Sequence, residues 1–140
     1  MILGFHASFY HSWRGDTPDE AGFGTDIRLV REIIHMLDQA NAEGLQARGY
    51  WDFDVYWTLE QIIPAHAPDI IANIRRRVQS GQDEVLPGPY NNGANHAATE
   101  EEFRTALAYA LENPYGSGLK QLFGKVTPIY RPQETMYTAG

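Results

Sequence analysis

The sequence predicts an α/β domain on three observations. Short apolar runs alternate with amphipathic helical segments, Gly and Pro punctuate the joins, and each predicted strand runs into polar or ionisable residues. The order β, α, β, α, β, α, β implies parallel strands joined by crossovers. The chain has 140 residues, 43% of them hydrophobic and 21% charged. That length and composition suit one α/β domain over residues 1–140 with a core of its own.

The elements follow in order. Ile2 to His6 is a short apolar run ending in a polar residue and reads as a buried strand. Ala7 to Gly24 is rich in Gly, Pro, Asp and Ser and reads as a loop. Thr25 is placed to cap a helix in which Ile27, Val30, Ile34 and Leu37 recur at helical spacing, and Gly44 ends it. Ala47 to Asp52 reads as the second strand. Thr58 and Gln61 have the spacing of a capping box, opening a short helix that Pro64 breaks. Pro68 starts another helix, with Ile70, Ile71, Ile74 and Val78 facing inward and Gly81 closing it. Glu84 to Leu86 is the third strand, and Pro87 to Ala98 a loop. Thr99 and Glu102 form a second capping box before a helix carrying Phe103, Ala106, Leu107 and Ala110. Asn113-Pro114 stops that helix. A short helix around Leu119 to Phe123 precedes the fourth predicted strand, Val126 to Tyr130.

Composition narrows the function classes. A net charge of −7 and a pI near 5.1 argue against a nucleic-acid partner, because phosphate-backbone binders carry basic patches. The one basic cluster, Arg75, Arg76 and Arg77, falls near a helix end, where cations suit the dipole. No apolar run is long enough to span a bilayer, so no membrane partner is expected. No segment reads as a signal peptide. There is no cysteine, which excludes disulfide and thiolate chemistry and fits a reducing compartment, so a cytoplasmic location is expected. No Gly-x-Ser-x-Gly elbow and no glycine-rich phosphate loop in strand–helix context occur. The close-spaced histidines of zinc sites are absent, so no metal and no cofactor are expected.

The ends of the predicted strands carry the candidate site, because ligands of parallel sheets meet the carboxyl ends of the strands. Strand one delivers His6, with His11 soon after. Strand two delivers Asp52 and Asp54. Strand three carries Glu84 and leads to Tyr90, Asn91 and Asn92. Strand four leads to Arg131, Gln133 and Glu134. Each has a structural reading beside the functional one. His6 suits a hydrogen-bonded core histidine, Asp52 and Asp54 suit helix caps, Glu84 suits an exposed strand residue, and Asn91-Asn92-Gly93 suits a turn. Tyr50, Trp51, Phe53, Tyr56 and Trp57 suit a core taken singly; interleaved with Asp52 and Asp54 they suit a sugar-stacking wall. His6, His11, Asp52, Asp54 and His96 are metal-ligand types if they converge.

Three segments resemble the amino-terminal catalytic region of family-57 glycoside hydrolases, a group related to family-38 mannosidases and polysaccharide deacetylases. They are Tyr50-Trp51-Asp52-Phe53-Asp54 with Leu59-Glu60-Gln61, Gly81-Gln82-Asp83-Glu84-Val85-Leu86 with Pro89-Tyr90, and Arg131-Pro132-Gln133-Glu134-Thr135-Met136-Tyr137. The resemblance implies parallel βα units forming part of a distorted (β/α)7 barrel, a carbohydrate substrate and retaining hydrolysis. It implies Glu134 as the catalytic nucleophile and a substrate-binding set of His6, His11, Trp51, Asp52, Asp54, Glu84, Tyr90 and Asn91. The sequence departs from the family at Phe5-His6-Ala7-Ser8, which keeps one His of a His-x-His-Gln-Pro motif and lacks the Asp of the zinc-using relatives. The family's general acid comes later in the chain than any residue here. Two other readings stay open: a non-catalytic sugar-binding or assembly module, and a metal-dependent deacetylase-like hydrolase. A partial barrel leaves its first and fourth strands with bare edges, so a homo-oligomer or a partner chain completing the barrel is expected.

Overall fold

Strands β1 (Ile2–Ala7), β2 (Arg48–Phe53) and β3 (Glu84–Leu86) form one parallel sheet in the order β1-β2-β3. The computed structural model describes residues 1–9, 19–91, 93 and 97–132, with residues 19 and 20 described by backbone alone. Helix α1 (Gly24–Ala42) connects β1 to β2. A π-helical segment (Val55–Ile62), α2 (Ile63–His66) and α3 (Pro68–Gln79) connect β2 to β3. Helices α4 (Glu100–Leu111) and α5 (Leu119–Phe123) follow. The alternating helices and parallel strands are the predicted α/β class.

The register sorts the sheet into two faces, because successive side chains along a strand point to opposite sides. Phe5, Trp51 and Val85 are register partners on one face. That face holds the core. Phe5 packs on Trp51 with ring centroids 4.7 Å apart, and Trp51, Phe53 and Phe123 of α5 stack in turn. Ile27, Val30, Ile34 and Leu37 of α1 and Ile70, Ile74 and Val78 of α3 complete it. The second face carries Gly4, Tyr50 and Glu84 in one row and His6, Asp52 and Leu86 in the next. Gly4 and His6 are exposed, and Tyr50, Glu84 and Leu86 are only partly buried. Parallel sheets usually bury both faces, so an incompletely covered, polar second face sets this sheet apart.

Helix ends depart from the prediction at two places. Thr25 lies inside α1; the cap position is Phe23, which makes no side-chain cap bond. Thr58 lies inside the π-helical segment, so the Thr58–Gln61 capping box does not form. Asp54 caps the segment instead, accepting the Trp57 N–H at 3.4 Å, and the Thr58 hydroxyl accepts the Phe9 N–H at 2.9 Å. The Thr99–Glu102 box does form. The Thr99 N–H and hydroxyl hold the Glu102 carboxyl below the usual range. Pro68 opens α3, and Gly44 and Gly81 leave their helices at φ +86° and +75°.

The predicted fourth strand, Val126 to Tyr130, is not a strand. The segment runs parallel to β3, and its Thr127 N–H reaches the Val85 carbonyl at 2.8 Å. A parallel ladder would then return a bond from the N–H of residue 87 to the Thr127 carbonyl, and from residue 89 to the carbonyl of Ile129. Both positions are proline, Pro87 and Pro89, and proline has no N–H. The segment therefore lies as a strap, fastened at Thr127 and again where the Arg131 N–H meets the Pro87 carbonyl at 3.1 Å.

A buried ion network holds the opposite end of the strands. Arg77 of α3 is bidentate to Asp83, at 2.8 and 2.9 Å, with both side chains fully buried. Asp83 also accepts the Trp51 indole N–H and the Gly49 N–H, each at 2.8 Å. A further Arg77 nitrogen bonds Asp38 of α1. Burial works against the Arg77 charge, but the bonds to Asp83 and Asp38 outweigh it and hold the guanidinium above its ordinary pKa. The arginine cluster stands near the end of α3 as the sequence suggested, and Arg77 of that cluster turns inward as a strut.

Candidate functional site

Two groups of side chains gather beyond the carboxyl ends of the strands. The first centres on Asp52, which is 4% exposed on the second face of the sheet. Its Oδ2 takes the His6 Nδ1 at 2.9 Å and the Arg131 Nη1 at 2.8 Å. A carboxylate only accepts hydrogen bonds, so His6 Nδ1 and Arg131 Nη1 are the donors of this pair of contacts. Gly88 passes close by: a Cβ built there would stand 3.4 Å from Asp52 Oδ1. One row down, Glu84 accepts the Thr127 hydroxyl at 2.6 Å and the Tyr50 hydroxyl at 3.3 Å.

The second group is aromatic. Trp57, Tyr56, Tyr90 and Tyr109 form a continuous run of ring contacts, with successive centroids 5.3, 5.8 and 5.8 Å apart. Trp57 and Tyr109 are exposed at 38% and 40%. Tyr90 is the keystone. Its carbonyl accepts the Tyr56 N–H at 2.8 Å, and its hydroxyl donates to Glu60 at 2.9 Å. The Ser117 hydroxyl also donates to Glu60, at 2.6 Å. Burial, then the hydrogen bond to the Glu60 carboxylate, push the Tyr90 phenol well above its ordinary pKa. Tyr90 and Tyr109 flank a groove of about 510 Å³ that Asn91, Glu101 and Thr105 also line. Its volume falls within the usual range for small-molecule sites.

The two groups are joined by a short piece of chain. Gly88 touches the Asp52 site, and Tyr90 and Asn91 enter the groove two and three residues later. Two extended residues span roughly 7 Å. Phe103 of α4 meets Tyr130 edge-on at 5.1 Å, next to Arg131.

The structure thus brings His6 and Asp52 together and puts Tyr90 and Asn91 in the groove. Glu84 stands on the same face as Asp52, two residues earlier in the register. Two of the residues read as ligand contacts have structural places instead. Trp51 is 0% exposed and bonded to Asp83 on the core face, which corrects its assignment to a sugar-stacking wall. Asp54 is 1% exposed and caps the π-helical segment. His11, His96 and Glu134 lie outside the described residues. Sequence reading placed Arg131 at the rim without giving it a role, and left Thr127, Glu60 and Tyr109 out of the site. The signal for Arg131 was present, since it closes a predicted strand; Tyr109 gave none, being one of several apolar positions on its helix. Among the described residues no three His, Asp or Glu side chains gather as metal ligands. At Asp52 the Arg131 guanidinium already occupies the carboxylate edge that a cation would need. Among the described residues no helix is long and apolar enough to cross a membrane.

No protein-family model matches the chain, and no curated protein or solved structure does either.

Proposed function

We propose that this is a carbohydrate-active protein that binds a neutral oligosaccharide along the carboxyl ends of its strands. The observation that carries the reading is the aromatic run Trp57, Tyr56, Tyr90 and Tyr109 beside a polar-lined groove. A pyranose ring offers a flat C–H face and a rim of hydroxyls. Exposed aromatic rings match the face, and carboxylate and amide groups such as Glu101 and Asn91 match the rim. The His6–Asp52–Arg131 group supplies further donors and acceptors for a neighbouring sugar unit.

The resemblance to family-57 glycoside hydrolases adds Glu134 as a nucleophile and places the strands in part of a distorted (β/α)7 barrel. Retaining hydrolysis needs a second carboxyl about 5 Å from the nucleophile. Asp54 is committed to a helix cap, and Glu84 is held between two hydroxyls. Neither suits a general acid, so binding is better supported than turnover.

The test is calorimetric titration of maltohexaose and cellohexaose. Wild type binds one of them, Tyr109→Ala weakens it about fivefold or more through lost stacking, and Arg131→Ala weakens it independently. No binding of either hexasaccharide at millimolar concentration refutes the reading.

A further inference from the structure

The outer side of β1 and α1 has no neighbour in the described fold. β1 stands at the end of the sheet order, so its outer backbone groups have no strand partner among the described residues. Among the described residues helix α1 is joined to α3 along one flank, by Arg31–Asp69 at 2.8 Å and by Asp38 with Arg76 and Arg77. At 3.6 residues per turn, the positions about 180° from that flank are Leu29, Ile33, Met36 and Ala40. That second stripe is wholly apolar. Leu29 is 56% and Met36 52% exposed, and Ile2 and Leu3 of β1 are 62% and 39% exposed.

We propose that this edge is the contact face of a two-fold dimer in which β1 pairs with β1 of a second copy and α1 packs on its counterpart. Three observations select a second copy. First, Leu29, Ile33, Met36 and Ala40 are uncharged in a chain of net charge −7, which leaves the nearby acids Asp26, Glu32 and Glu43 at the margin of a contact between like-charged copies rather than at its centre. Second, the area fits. Leu3, Leu29 and Met36 on the α1 side of the sheet and Ile2 on the other side of the same edge present on the order of 300–400 Å² of apolar surface along that edge, and Phe5, Ile33 and Ala40 add to it. That is the scale of the apolar core of an interface burying about 800 Å² per partner. Third, the edge and stripe are self-complementary: an antiparallel strand pair related by a two-fold axis gives each copy what it lacks. The other side of the sheet cannot serve equally, because the strap covers β3 there and Pro87 and Pro89 remove its donors.

A cleft of about 270 Å³ between β1 and α1, lined by Gly4, Phe5, Leu29, Val30 and Ile33, shows where the arriving chain would seat. Asp26 borders it, and its buried Oδ2 has no hydrogen-bond partner among the described residues. An incoming N–H would supply one.

The experiment is light scattering from 1 to 100 µM, with hydrogen exchange at both ends of that range. The expected result is a mass rising toward twice the 15.8 kDa of the chain, with protection of the β1 amides rising in step. Leu29→Glu with Met36→Glu should return the monomer with an unchanged circular dichroism spectrum. Leu45→Glu, at a residue 57% exposed outside the stripe, should leave the dimer. A monomer of 15.8 kDa at 100 µM overturns the proposal. So does a dimer whose concentration-dependent protection falls outside β1 and α1, a reading that needs no variant to fold.

Discussion

Replacing Asp83 by Asn tests the account of the fold most sharply. Asp83 accepts four hydrogen bonds: Gly49 N–H and one Arg77 nitrogen on Oδ1, Trp51 indole and another Arg77 nitrogen on Oδ2. The amide keeps one accepting oxygen. Its NH₂ faces two donors that then have no acceptor, and the buried Arg77 charge retains only Asp38. Removing one partner of a buried pair costs about 3–5 kcal/mol. Domains of this kind carry only about 5–15 kcal/mol in total. With a urea slope of about 2 kcal/mol/M, Asp83→Asn should lower the unfolding midpoint by roughly 2 M, followed by far-UV circular dichroism. Arg77→Met added to Asp83→Asn should cost less than the two single losses together, because it removes the stranded charge. A midpoint shift under about 0.5 M, or strict additivity, would refute the strut.

Glu134→Gln should abolish any turnover of aryl glycosides while leaving the circular dichroism spectrum intact, since an amide cannot replace a carboxylate nucleophile; unchanged turnover removes Glu134 from the mechanism. Gly49→Ala should destabilise the chain by about 1–3 kcal/mol, read as a urea midpoint, because its Cβ would stand 2.7 Å from the Trp51 Nε1 and 3.1 Å from Asp83; a neutral result means the β2 start can shift. Tyr90 has a raised folded pKa, so its contribution is fully present below the ordinary tyrosine value of about 10 and fades as pH rises above it. Melting temperature should fall more steeply from pH 9.5 to 11 in wild type than in Tyr90→Phe, and parallel curves would contradict this. Asp38 and Asp69 carry the opposite sign. Their folded values are lowered, Asp38 by Arg76 and Arg77 against its own desolvation and Asp69 by Arg31. Their contribution holds above about pH 4 and is lost on further acidification, which a melting series from pH 6 to 2 with Arg31→Ala as comparison will show.

Period and punctuation made much of the fold legible. The apolar spacing of α1 and α3, Pro68, Gly44, Gly81 and the Thr99–Glu102 box all act locally, and local signals survive folding. Misreadings arose where a distant partner decided. Thr58 met every local condition for a cap, yet its hydroxyl is taken by Phe9, on the far side of α1 in the sequence. Trp51 sits among polar neighbours that suggest a ligand wall, but register with Phe5 and Val85 turns it inward. Val126 to Tyr130 reads as a strand from its own residues. What prevents the ladder is written some forty positions earlier, in Pro87 and Pro89. The candidate site was half legible for the same reason. His6 and Asp52 are strand-end residues in plain view, whereas Arg131 reaches them only because the strap lies down beside β3.

That strap joins the far end of the described chain to the middle of the sheet. The sheet can grow as the chain lengthens, β1 then β2 then β3, each new strand beside the last. Asp52 meets His6 across neighbouring strands, but Arg131 comes from beyond α4 and α5, on the strap fastened at Thr127. Without the strap Asp52 keeps His6 as its partner and loses the guanidinium. The strap therefore does two jobs, covering the edge of β3 and bringing a guanidinium to Asp52. A chain truncated before the strap would lack both the Thr127 bond at the edge of β3 and the Arg131 partner of Asp52, and open strand edges are what make incomplete chains prone to aggregate.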